Sequence, residues 1–185
     1  TTASYNTAVG RSALAVNTTG FNHVAVGYEA LKANTTSNSN TAIGWKAMTA
    51  NTTGSANTAV GGSALDANTG GDYNTAVGQS ALTSNTTASS NAAVGYNTLS
   101  SNTTGTGNTG LGTSALDANT TGTKNTAVGK DALAANTVES NSTAIGAYAL
   151  TVSTGQENTA VGSEALDANT TGQQNAALGF YALFA

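Results

Sequence analysis

Residues 6–22 read Asn6-Thr7-Ala8-Val9-Gly10-Arg11-Ser12-Ala13-Leu14-Ala15-Val16-Asn17-Thr18-Thr19-Gly20-Phe21-Asn22, and the phrase starts again at the next residue. Working outward, the whole chain of 185 residues consists of eleven copies of N-T-A-V-G-x-x-A-L-x-x-N-T-T-G-x-x with no linker between them. The glycine after the first apolar pair marks the register: Gly10, Gly27, Gly44, Gly61, Gly78, Gly95, Gly112, Gly129, Gly146, Gly162 and Gly179. Nine of the ten steps are 17 residues long, and the step from Gly146 to Gly162 is 16. A short fixed period specifies a stack of small units that touch only their neighbours, so a single catalytic cleft is not the default expectation.

The fold expected is all-β: a parallel β-solenoid or β-roll of eleven 17-residue coils, with two short strands per coil and residues 1–185 forming one continuous array. Thr and Val or Ile before each marker glycine favour extended chain, and glycine permits a bend or a close backbone approach. The second segment, Ala13-Leu14, Ala30-Leu31 and their equivalents, has a helical propensity of its own. Stacked strands are about 4.8 Å apart, whereas packed helices need roughly 8–10 Å, so a second extended segment is favoured over a helical turn. N-T-T-G closes the coil, with Asn bonding nearby backbone and Gly expected to supply a positive φ. The turn asparagines Asn17, Asn34, Asn51, Asn68, Asn85, Asn102, Asn119, Asn136 and Asn169 would lie one above another as an amide ladder, broken only at Ser153. Adjacent strand side chains point to opposite faces. With Val turned into the coil, the nearly invariant Ala would face outward, where a partner chain would explain the limit on its size.

Composition excludes several classes of function. Five Lys and Arg among 185 residues make no phosphate-tracking groove, which argues against nucleic acid. No apolar run approaches the roughly 20 residues of a membrane span. Cys is absent and His23 is the only histidine, so transition metals lack their usual ligands and no cofactor is expected. His23 stands where other copies have Asn and reads as a structural substitute. Asp66, Asp117 and Asp167 lie three coils apart, too far for an acid–base pair, and no G-x-S-x-G elbow or phosphate loop occurs, so no enzyme is expected. The chain starts at Thr1 and stops at Ala185 in one phase of the repeat, which reads as a segment or subunit of a longer fibre.

The pattern N-T-A-[VI]-G followed by a small-apolar segment and a Gly turn resembles the head repeats of trimeric autotransporter adhesins, the YadA-like β-roll. It is also similar to arrays in phage tail-fibre-like and bacterial surface proteins. The resemblance covers the whole chain, although these coils are longer than the usual adhesin head unit. It implies a homo-oligomer, a trimer or filament, located extracellularly, on the cell surface or on a virion, and binding to surfaces such as cell-surface glycans.

Departures from the consensus are themselves spaced. The turn glycine is replaced at Ser37, Ala88 and Glu139, and aromatics follow the marker glycine at Trp45, Tyr96 and Tyr148, so three coils form a super-repeat about 14 Å long. Tyr28, Trp45, Tyr96, Tyr148, Phe180 and Tyr181 share a slot that elsewhere holds Arg11, Gln79 or Lys130. Such a slot faces solvent, which makes these aromatics surface contact candidates. Phe184 is placed to cover an open coil. The function expected is a structural or adhesive fibre segment acting by many weak repeated contacts. The alternative is an ice-binding solenoid using Thr ladders, at Thr18, Thr35, Thr52, Thr86 and Thr103 or at Thr7, Thr41, Thr58 and Thr75.

Overall fold

The computed structural model describes residues 2–183, and the expectations attached to Thr1, Phe184 and Ala185 lie outside the described residues. The chain is a parallel β-solenoid. Its strands are β1 (Thr7–Val9), β2 (Val24–Val26), β3 (Thr41–Ile43), β4 (Thr58–Val60), β5 (Thr75–Val77), β6 (Ala92–Val94), β7 (Thr109–Leu111), β8 (Thr126–Val128), β9 (Thr143–Ile145), β10 (Thr159–Val161) and β11 (Ala176–Leu178). They form one sheet in chain order, each pairing in parallel with the next. Thr41 pairs with Thr58, Ala42 with Ala59 and Ile43 with Val60, one period on, and at β9–β10 the register shortens to Thr143 with Thr159.

Each strand alternates as a pleated sheet must, but with the faces opposite to those expected from the sequence. Ala is the inward residue: Ala25, Ala42, Ala59, Ala76, Ala93, Ala127, Ala144 and Ala160 are completely buried. Val, Ile or Leu points out, with Ile43 39% and Leu111 47% exposed. Ala is nearly invariant because the coil is narrow and this position faces the Ala-Leu segment. At Gly110 an added Cβ would run into Thr98 Cγ2, and Thr98 is the one larger residue in the Ala-Leu series. The interior is therefore Leu31, Met48, Leu65, Leu82, Leu99, Leu116, Leu133 and Leu150 in a column, flanked by two columns of small residues.

The second segment is not a strand, which corrects the expectation of two per coil: each coil has one three-residue strand. Lys46 and Met48 have φ of 54° and 56°, and the same two left-handed steps recur in every coil. A third left-handed residue, such as Ala56 or Tyr73, precedes the strand asparagine. Seventeen residues must make a full revolution while rising one strand spacing, and these three corners accomplish the turn. The Leu position pays about 1–2 kcal/mol for a left-handed backbone, which burial of its side chain, worth roughly 1.5–3 kcal/mol, offsets. The segment still pairs coil to coil, the Met48 N–H donating to Ala64 O at 2.9 Å and the Ala50 N–H to Asp66 O at 3.0 Å.

Glycine recurs at two places in the coil for different reasons. The marker glycines have φ between +125° and +141°, and a Cβ on any from Gly10 to Gly162 would collide with the carbonyl of the next marker glycine. The turn glycine does not have the positive φ expected of it. Space is what it supplies: a Cβ on Gly54 would meet the carbonyl oxygen of Gly71 and the side chain of Asn51.

Candidate functional site

Inside each coil the two asparagines do different work. Asn68 Nδ2 donates one hydrogen to Asn51 Oδ1 (2.8 Å) and the other to the Gly71 carbonyl (3.1 Å), and Asn68 Oδ1 accepts from Asn85 Nδ2 (2.9 Å). The amide-to-amide chain runs from Asn17 through Asn34, Asn51, Asn68, Asn85, Asn102 and Asn119 to Asn136. It stops at Ser153, whose hydroxyl accepts from the Gly155 N–H at 3.2 Å instead. Asn136 Oδ1 is the one buried side-chain acceptor without a partner among the described residues. Beyond the break, Asn169 is half-buried and bonds only across its own turn, to Gly172 O and from Gly172 N.

A second column consists of the strand asparagines. The Asn57 N–H donates to Asn40 Oδ1 at 2.9 Å, while Asn57 Nδ2 donates to Gly71 O at 2.8 Å. The carbonyl of each turn glycine thus takes a hydrogen from each column. His23 occupies this second column and is 1% exposed. The Asn40 N–H donates to His23 Nδ1 (3.2 Å), so Nδ1 is bare, and Nε2–H donates to Ser37 O (2.8 Å). Burial pushes the His23 pKa down, while its backbone bonds to Ser37 and Asn40 pull it partly back. The neutral ring is a close stand-in for Asn: one acceptor facing up the stack and one donor facing the turn.

The outer sheet face is the most regular exposed feature. Val9, Val26, Ile43, Val60, Val77, Val94, Leu111, Val128, Ile145, Val161 and Leu178 form one unbroken row in paired register, each at least partly exposed. Beside it runs a row of Thr, interrupted by Val24, Ala92 and Ala176. Among the described residues no strand contains a charged side chain. The constancy of Ala between two larger residues was the signal for this arrangement, since an alternating strand in a narrow coil must put its smallest residue inside.

The aromatic candidates are exposed but dispersed. Tyr28 and Trp45 lie in consecutive coils, and Trp45 is 56% exposed. Tyr96 is three coils further on. Tyr148 and Tyr181 do not share their slot: each is one residue later, in the left-handed corner where other coils have Lys46 or Asp131. Phe180 and Tyr181 meet edge to face at 4.3 Å. Arg11 lies over Tyr28 at 5.7 Å, Lys46 over Trp45 at 4.9 Å, and Lys130 over Tyr148 at 5.0 Å. Three of the rings are thus paired with a cation of their own chain.

The turn threonines are committed to the backbone. The Thr18, Thr52 and Thr103 hydroxyls donate to the carbonyls of Thr35, Thr69 and Thr120 at 2.9–3.0 Å. They hold coil to coil and do not present a free hydroxyl hydrogen outward. Among the described residues there is no pocket, and no three His, Asp or Glu gather as a metal site. Nor, among the described residues, is any helix long and apolar enough to cross a membrane. No protein-family model, curated protein or solved structure matches the chain.

Proposed function

We propose that this protein is a structural segment of an extracellular or virion fibre, a stiff rod that associates with further copies of itself through the outer sheet face and performs no catalysis. The observation that carries the reading is the row of eleven outward apolar residues. An apolar stripe of that length, uncharged along every strand, is the kind of surface proteins cover with a partner. The resemblance to YadA-like head repeats supports the same reading. In such a fibre the exposed rings Tyr28, Trp45 and Tyr96 would make the secondary contacts, stacking on sugar rings of a cell-surface glycan, with repetition supplying avidity. The ice-binding alternative has less support, because the turn hydroxyls are spent on carbonyls and the strand Thr row is interrupted.

The test is the mass of the native chain by light scattering, beside a variant carrying Val77→Lys, Val94→Lys and Leu111→Lys. The expected result is an oligomer for the first and a monomer with unchanged circular dichroism for the second. A native chain that stays monomeric at high micromolar concentration overturns the reading.

A further inference from the structure

We propose that two copies pair antiparallel, face to face, about a two-fold axis that runs along the strand direction through Val94 in the sixth coil. This rests on the self-association reading above and adds the occupant, its orientation and its register. Two observations carry it, the order of the rows across the face and the order of charges along the rod.

The rows come first. Across each strand, Thr and Val lie on the outward face two residues apart, so the Thr row and the Val row run side by side along the rod. A two-fold axis along the strand direction reverses the rod but keeps that left-to-right order. Val row then meets Val row, and Thr row meets Thr row. A two-fold axis along the rod reverses the order instead: midway between the rows it sets Val against Thr, and on the Val row it leaves the Thr rows unmatched. Only the antiparallel pair buries apolar on apolar over the full length while hydroxyls face hydroxyls. Both copies have the same spacing of about 4.8 Å, so with the axis at Val94 each rung of one faces a rung of the other, Ile43 opposite Ile145 and Val94 opposite itself, along all eleven rungs. The face is then about 50 Å long and one short strand wide, at the small end of what specific protein pairs bury. Apolar contact alone gives a weak pair, which leaves charge to decide direction.

Charge is unevenly distributed along the rod. Arg11, Lys32 and Lys46 against Glu29 leave the first three coils positive. After Lys130 there is no Lys or Arg at all, while Asp131, which pairs with Lys130, and Glu139, Glu157, Glu164 and Asp167 follow. Antiparallel pairing brings the basic end of each copy beside the acidic end of the other, twice per pair. A parallel pair would set acidic end beside acidic end. These charges lie at partly or fully exposed positions around the coil, so they act at a distance and their contribution falls with salt over a Debye length of about 8–10 Å.

The chain has no cysteine, so single cysteines report orientation cleanly. Ile43 and Ile145 lie in the third and ninth coils, equidistant from Val94, and both are exposed. Under mild oxidation the structure leads us to expect that Val94→Cys forms a disulfide dimer by itself. Ile43→Cys mixed with Ile145→Cys is expected to link several-fold more than either variant alone, with the yield lower in high salt. Efficient linking of Ile43→Cys to itself, or a parallel trimer by mass and crosslinking, overturns the antiparallel pair and leaves self-association standing. A Val94 link without the mixed pair overturns the register. A chain monomeric by light scattering that links at none of the three positions overturns both readings together.

Discussion

At the residue scale, substitutions survive in this stack when they keep the hydrogen-bond pattern or the volume of the residue they replace. His23 keeps the pattern, and it adds a titration that Asn lacks. Its folded-state pKa is depressed, so below about pH 6.5 the unfolded chain takes up a proton that the folded chain resists. Stability attributable to His23 is therefore present above that pH and declines as pH falls toward the lower folded value. The groups around the ring, Asn34, Ser37 and Asn40, are uncharged and offer no carboxylate to hold the imidazolium. Thermal melts of the native chain and His23→Asn should coincide near pH 8 and separate below pH 6.5, with the variant the more stable; parallel curves throughout would refute this account. Thr98 and Gly110 illustrate volume. Thr98 exceeds the Ala it replaces, Gly110 falls short by a methyl, and the missing Cβ would sit on Thr98 Cγ2. Gly110→Ala alone should cost about 1–3 kcal/mol by overpacking. In a Thr98→Ala background the same change should be neutral or stabilising, so a double-mutant cycle in urea should return a coupling energy of similar size.

At the scale of the coil, the period, the strand before each marker glycine and the turn-asparagine column were legible in the sequence, because each rests on a residue type with few uses. Glycine before a bend, alternating β-branched residues and a periodic Asn are such signals. What was not legible was the path between them. Leu in a left-handed conformation contradicts its local preference, and only the burial of its side chain by neighbouring coils, invisible within one repeat, makes that path affordable. The facing of Val and Ala was misjudged for the same reason: hydrophobicity favoured Val inside, while the narrow bore admits only Ala. The amide column also makes a prediction that separates a bonded ladder from simple burial. Asn85→Ala strips partners from Asn68 Oδ1 and Asn102 Nδ2, both buried, and should cost about 3 kcal/mol. Asn169→Ala, beyond the break and bonded only within its own turn, should cost about 1 kcal/mol. Equal costs in chemical denaturation would mean that the vertical bonds contribute nothing beyond the turn.

At the scale of the molecule, a rod whose coils touch only their neighbours has no contact that depends on its total length, so whole super-repeats should be removable. Deleting residues 40–90 joins Ser39 to Asn91 in phase. Every neighbour then meets a residue like the one it lost: Asn34 meets Asn102 in place of Asn51, Ala25 meets Ala93 in place of Ala42, and Leu31 meets Leu99 in place of Met48. Thr98 keeps Gly110 above it, and His23 Nδ1 receives the Asn91 N–H in place of that of Asn40. The shortened chain should fold with the same circular dichroism, and its denaturant m-value should fall with the surface lost. Small-angle scattering should give an unchanged cross-section and a rod shorter by about 14 Å, three strand spacings. Deleting 40–82 instead removes a fractional number of coils. It sets Leu31 against Asn91, Asn34 against Val94 and His23 against Thr83, breaking the Leu column and both asparagine columns at the junction, so that chain should aggregate or unfold beyond the join. If the in-phase deletion failed as badly as the out-of-phase one, stability would have to reside in something longer than one coil and its two neighbours.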